Sequence, residues 1–164
     1  DDDLPGGPGD PRHSYLGLML ENMEFMIPAL GGTADALAEA ASSIVSVMGA
    51  SAITCFTSSG STVRRVARER PSASILALTP RSDTARKLGL TWGVHAVRTK
   101  DIGNFEEMIG KARRMALRHG MSEKGGKIVV LAGVPFGTPG STNVLHVAAI
   151  RGDELKGRDE SPSF

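Results

Sequence analysis

Four short apolar, β-rich runs set what this chain can fold into: AITCFT (52–57), SILALT (74–79), VHAVRT (94–99) and KIVVLAG (127–133). Stretches of helical character separate them, and the first three runs start roughly 20 residues apart. A helix between two strands is a crossover connection, which leaves the strands parallel. Parallel strands are buried on both faces and read as near-continuous apolar runs. The pattern therefore predicts an α/β fold, with three α/β/α layers around a mostly parallel sheet. A fifth run, NVLHVAAI (143–150), follows the fourth after nine residues, 134–142. That link is too short for a crossover helix, so the five-stranded sheet should end in an antiparallel strand.

The helices carry their own signals. Leu16, Leu20, Met23, Ile27 and Leu30 recur at three- and four-residue steps and predict a helix over 14–30, broken by Gly31 and Gly32. Thr33 stands as N-cap of a second helix that ends at Gly49, with Asp35 in its first turn. Leu37, Ala41, Ile44, Val45 and Met48 form its buried face. A helix over 61–70 is stopped by Pro71, and Ser82 or Asp83 caps the next. Asn104 caps a long helix with Glu106 and Glu107 in its first turn and Gly120 at its end. The proline- and glycine-rich start, 1–13, reads as a linker arm, and 151–164 reads as a charged tail. One domain over 14–150 remains. The chain begins at Asp1 without a methionine, which fits a piece of a longer polypeptide.

Bulk properties exclude several functions. A net charge of +1 gives no attraction to nucleic acid or to a membrane surface. Aromatic residues at 4% are too few for base-stacking platforms. The single cysteine, Cys55, lies inside a strand expected to be buried, so neither an internal disulfide nor a cysteine metal site forms. This favours a reducing, cytoplasmic setting. Apolar runs fall short of the ~18 residues a membrane span needs.

Two segments lie where ligands of open α/β sheets gather, outside the carboxyl ends of the strands. Thr57, Ser58, Ser59, Gly60, Ser61 and Thr62 follow the first strand and open a helix. Their hydroxyls, the close approach that Gly60 allows and the helix N-terminus suit an anion. A plain capped turn explains part of this, since Ser and Thr are ordinary caps. Four hydroxyl residues beyond one cap are more than capping needs. The second segment, Gly133 to Thr142, is glycine- and proline-rich and reads either as a binding loop or as a hairpin connection. Neither is a Walker loop, and no spaced GxGxxG occurs.

Little else invites chemistry. His13, His95, His119 and His146 lack metal-ligand spacing, and His95 and His146 should face solvent or pack a ring edge. Ser59 and Ser61 have no GxSxG setting, which excludes a hydrolase triad of that type. Arg64, Arg65, Arg68 and Arg70 read mainly as a solvated face, with Arg64 or Arg65 able to bend toward a phosphate. Residues alone thus point to a phosphate-ligand sensor more than to an enzyme. A stand-alone phosphate-binding protein, or a small enzyme of unknown reaction, stays open as the alternative.

TSSGST followed by VRRVARERP, the strand after RP that ends in Thr79, and AGVPFGTPGSTN near the end resemble the C-terminal domain of pyruvate kinase, in its bacterial form. The agreement in order and spacing runs from about residue 14 to 150. The resemblance implies a regulatory domain with a five-stranded sheet whose last strand is antiparallel. It implies that Thr57, Ser58, Ser59, Gly60, Ser61 and Thr62 cradle an effector phosphate. It implies that Pro135, Phe136, Gly137, Thr138, Pro139 and Gly140 close over that effector. Phosphoryl transfer from phosphoenolpyruvate to ADP, with magnesium and potassium, would belong to a catalytic barrel domain of the same polypeptide, leaving this chain without catalytic residues or cofactors. Pairing of such domains in a homo-oligomer, a tetramer, is also implied. Fructose-bisphosphate-responsive members carry a basic residue in the turn, where this chain has Ser58 and Ser61, and an Arg and a Trp with no equivalent near Phe105 to Met108. A monophosphate such as glucose 6-phosphate, ribose 5-phosphate or AMP is therefore the expected effector.

Overall fold

The apolar runs at 52–57, 74–79 and 127–133 are buried along nearly their whole length, and they form the middle of the sheet. The computed structural model describes residues 32–136 and 142–151. Its strands are β1 (Ala52–Phe56), β2 (Ser74–Thr79), β3 (Val94–Arg98), β4 (Lys127–Gly133) and β5 (Thr142–Ala149), in the order β3-β2-β1-β4-β5. β1 pairs in parallel with β2 and β4, and β2 pairs in parallel with β3. β5 runs antiparallel to β4, as its short link requires. The edge strands β3 and β5 are only partly buried, while β2, β1 and β4 carry the apolar runs.

Side chains alternate across the sheet, and two cores result. On one face, Ile53, Cys55, Ile75, Ala77, Val129 and Leu131 pack against three helices: α1 (Thr33–Met48), α2 (Ser61–Arg68) and α3 (Ser82–Leu88). On the other, Ala52, Leu76, Leu78, Ile128 and Val130 meet α4 (Phe105–Arg118) through Met108, Ile109, Ala112 and Ala116. This is the expected three-layer α/β/α arrangement. Burial pushes the Cys55 thiol up to about 12, so it stays protonated. Among the described residues no helix is long and apolar enough to cross a membrane.

Several local expectations change. Thr33 is the first helical residue of α1, and Gly32 holds the N-cap position without a side-chain bond. Ser82 and Asp83 both lie inside α3, whose N-cap is Arg81. Asp83 instead pairs with the Arg81 guanidinium, which lowers its carboxyl affinity for protons. Met48 is exposed at the end of α1. Helix α2 stops at Arg68, because Arg70 turns to a φ of 51° ahead of Pro71. Asn104 does cap α4: its Oδ1 accepts from the Glu107 N–H at 2.8 Å, and Glu107 Oε2 accepts from the Gly103 N–H at 2.9 Å. The helix expected over 14–30, the arm 1–13 and the tail beyond 151 lie outside the described residues.

Among the described residues, a hydroxyl is buried without a partner. Thr54, in the middle of β1, is fully buried, and its Oγ1 has no hydrogen-bond partner. Burying a hydroxyl without a bond is costly, while Val has nearly the same shape. Thr54→Val should therefore raise the free energy of unfolding by about 1 kcal/mol. Urea denaturation checks this, and a lower midpoint at unchanged slope would show that the hydroxyl is satisfied in solution.

Candidate functional site

The strand order places the site. Chain order runs outward from β1 to β2 and β3, then returns across the sheet to β4 on the other side of β1. The carboxyl ends of β1 and β4 therefore flank the point where the winding reverses, the position at which doubly wound sheets bind ligands. The turn 57–62 leaves β1 there, and the loop after Gly133 leaves β4 beside it. Two segments more than 70 residues apart in sequence thus share one crevice.

The turn is held by its own atoms. The Gly60 N–H donates to Thr57 Oγ1 at 2.8 Å. Ser59 and Ser61 bond hydroxyl to hydroxyl at 3.1 Å, and the Ser61 N–H donates to Ser59 Oγ at 3.4 Å. Gly60 has φ 81° and ψ 2°, in the left-handed region, and forms the N-cap of α2. A Cβ there would lie 3.0 Å from Leu88 Cδ2 and 3.1 Å from Arg64 Nη1. The positive φ demands glycine, and a Cβ would also have to push these two side-chain ends aside. The turn is also tied to α3, because the Thr84 hydroxyl donates to the Ser58 carbonyl at 2.9 Å.

The six turn residues do not stand alike. Ser59 is exposed, and Thr57, Ser58 and Ser61 are partly so. Thr62 is buried, and its hydroxyl is hydrogen-bonded to that of Thr142 at the start of β5. That bond fastens the N-terminus of α2 to the far end of the second segment. Asn143 holds the near end: its Oδ1 accepts from the Val134 N–H at 2.8 Å and its Nδ2 donates to the Val134 carbonyl at 2.6 Å. Between these anchors lie Pro135, after a cis peptide bond, and Phe136, which packs against the core on the α4 side. Gly137, Thr138, Pro139 and Gly140 lie outside the described residues.

The arginines after the turn divide by partner. Arg65 and Arg68 both bind Asp35 on α1, at 3.1 and 2.8 Å, and so join α1 to α2. Arg70 stacks over the Trp92 ring at 4.5 Å. Arg64 alone of the four turns back to the hydroxyl turn, its Nη2 donating to the Ser59 carbonyl at 3.4 Å. Sequence reasoning weighed Arg64 and Arg65 together, and the Asp35 pair separates them. It reads Thr142 only as the end of the second segment and gives Thr84 and Asn143 no role. Their partners lie across the fold, and the one available signal was the STN that ends the glycine-rich stretch.

The exposed hydroxyls of the turn are donors at a helix start, and the Arg64 guanidinium adds positive charge beside them. The set suits a phosphate or carboxylate oxygen. No cluster of three or more His, Cys, Asp or Glu side chains among the described residues is arranged to hold a metal ion. His95 meets His119, and His146 meets the Phe105 ring edge-on at 5.3 Å.

Comparison with known proteins gives the family. The profile described as "Pyruvate kinase, alpha/beta domain" matches residues 35–148. A pyruvate kinase of Methylorubrum extorquens is 46% identical over 116 residues, covering 71% of this chain and 24% of that protein. One from Agrobacterium vitis is 40% identical over 137 residues, 83% of this chain and 28% of its own length. One from Clostridium acetobutylicum is 38% identical over 118 residues, 72% of this chain and 25% of its own. The chain spans about a quarter of the length of these relatives. The match covers β1 to β4 and all but the last residue of β5, and the chain belongs to the pyruvate kinase α/β, C-terminal, domain family.

Proposed function

We propose that this domain is the regulatory part of a pyruvate kinase and that its crevice binds the phosphate of a small metabolite. The observation that carries the reading is that the hydroxyl turn meets Arg64 at one end and Thr142, at the start of β5, at the other, at the winding switch of the sheet. The phosphate sits on Thr57, Ser58, Ser59, Gly60 and Ser61 at the start of α2, with Arg64 as its cation. Thr62 serves as the tie to Thr142 rather than as a phosphate donor. Residues 135–140 close over the ligand. Phosphoryl transfer from phosphoenolpyruvate to ADP belongs on this reading to a catalytic barrel elsewhere in the same polypeptide, and so do magnesium and potassium. Subunit pairing in a cytoplasmic homo-oligomer is how the domain would pass on the signal, through a shift between two arrangements that the ligand binds unequally.

One arginine beside the turn matches one phosphate. Titration calorimetry with glucose 6-phosphate, ribose 5-phosphate and AMP should show a dissociation constant of about 1 mM or tighter for at least one. Fructose 1,6-bisphosphate should bind no tighter than the best of these. Arg64→Ala removes a charged hydrogen-bond donor and should weaken binding roughly tenfold or more, with the melting temperature nearly unchanged. Gly60→Val should abolish binding and also destabilise the fold. A panel of phosphorylated metabolites that gives no heat, or an Arg64→Ala protein that binds as well as the parent, overturns the assignment.

The catalytic half of the proposal has its own test. The chain by itself should form no pyruvate from phosphoenolpyruvate, ADP and Mg²⁺ in a lactate dehydrogenase-coupled assay. Turnover above the enzyme-free rate would place catalytic groups within this domain.

A further inference from the structure

The opposite end of the sheet carries a second cluster. Helix α4 starts beyond the carboxyl end of β3 and returns toward the strands' amino ends, so its C-cap, His119, comes to lie beside His95 near the start of β3. The two imidazoles are hydrogen-bonded at 2.9 Å, His95 Nε2 to His119 Nδ1, so one of these nitrogens carries the proton and the other the lone pair. Their ring centroids are 4.6 Å apart at an interplanar angle of 51°. Rings meeting along the line through both nitrogens would stand farther apart than this, so the contact is bent.

We propose that His95 and His119 form a two-imidazole chelate for a borderline divalent transition metal ion of the zinc, nickel or copper class. Imidazole nitrogen is a preferred ligand of these ions. Zinc–nitrogen bonds of about 2.0–2.1 Å hold two ligands of a tetrahedral site about 3.3 Å apart. The two nitrogens need to part by only about 0.4 Å, which a small rotation of each ring supplies, and the proton between them moves to the other nitrogen of its own ring, so both imidazoles stay neutral. The ligands come from a strand and from the end of a helix, so the backbone presets the pair. His95 is exposed and His119 partly so, which gives an ion access and leaves its other positions to water. Burial, and then the neighbouring His95 and Arg118, lower the proton affinity of His119 and favour the neutral, metal-binding ring. Magnesium, which takes oxygen ligands, should not bind.

Zinc titration of the full chain tests this by calorimetry, with MgCl₂ as control. One equivalent of Zn²⁺ should bind, with affinity at least tenfold weaker in His95→Gln and in His119→Gln. His146→Gln should bind as the parent does. His119 ends a helix, so each variant's melting curve is compared with the parent's, and His95→Gln decides if His119→Gln unfolds. Equal zinc affinity in His95→Gln and parent, or no zinc binding by the parent, overturns the proposal. The result is independent of phosphate binding, since the two clusters lie at opposite ends of the sheet.

Discussion

The parallel pairing of β1 with β4 is the contact on which the rest depends. Ala52 lies against Ile128 and Cys55 against Leu131, although more than 70 residues separate these strands. Closing so long a loop costs conformational entropy, and what offsets it is burial of both strands on both faces. The pairing also fixes function. It sets the turn after β1 beside the loop after β4 and makes one crevice of two distant segments.

Within that crevice the atoms divide between structure and binding. Thr62, Thr84, Thr142 and Asn143 use their side chains to hold the two segments in place. Ser59 and Ser61 remain accessible, and Arg64 stands over them. A turn built this way presents an anion with donors that are already oriented, so little ordering is needed on binding. The paucity of cations matters as much. Arg65 and Arg68 are committed to Asp35, and Arg70 to Trp92, which leaves the crevice with the charge of a single guanidinium from this arginine run.

The legible parts of the sequence were those governed by local pattern. β2 and β4 run over the residues their apolar stretches predicted, and Asn104 caps α4 as its position before two glutamates implied. The failures are also local but have distant causes. Thr33 and Ser82 looked like caps by type, yet capping depends on where the chain enters the helix, and α1 and α3 begin one residue earlier than those caps require. Met48 fits the apolar face of α1 by spacing, but it is the last residue of the helix and is exposed.

By itself the sequence determined the fold class, the antiparallel last strand and the hydroxyl turn. Strand spacing, a nine-residue link and a run of small donors are short-range facts, and short-range sterics and hydrogen bonding enforce them. Tertiary structure decided which arginine faces the turn, which threonine is spent on holding the loop, and that His95 and His119 meet. Those outcomes depend on the distance between side chains from different elements, and packing of helices on the sheet sets that distance. No residue's neighbours in sequence carry it.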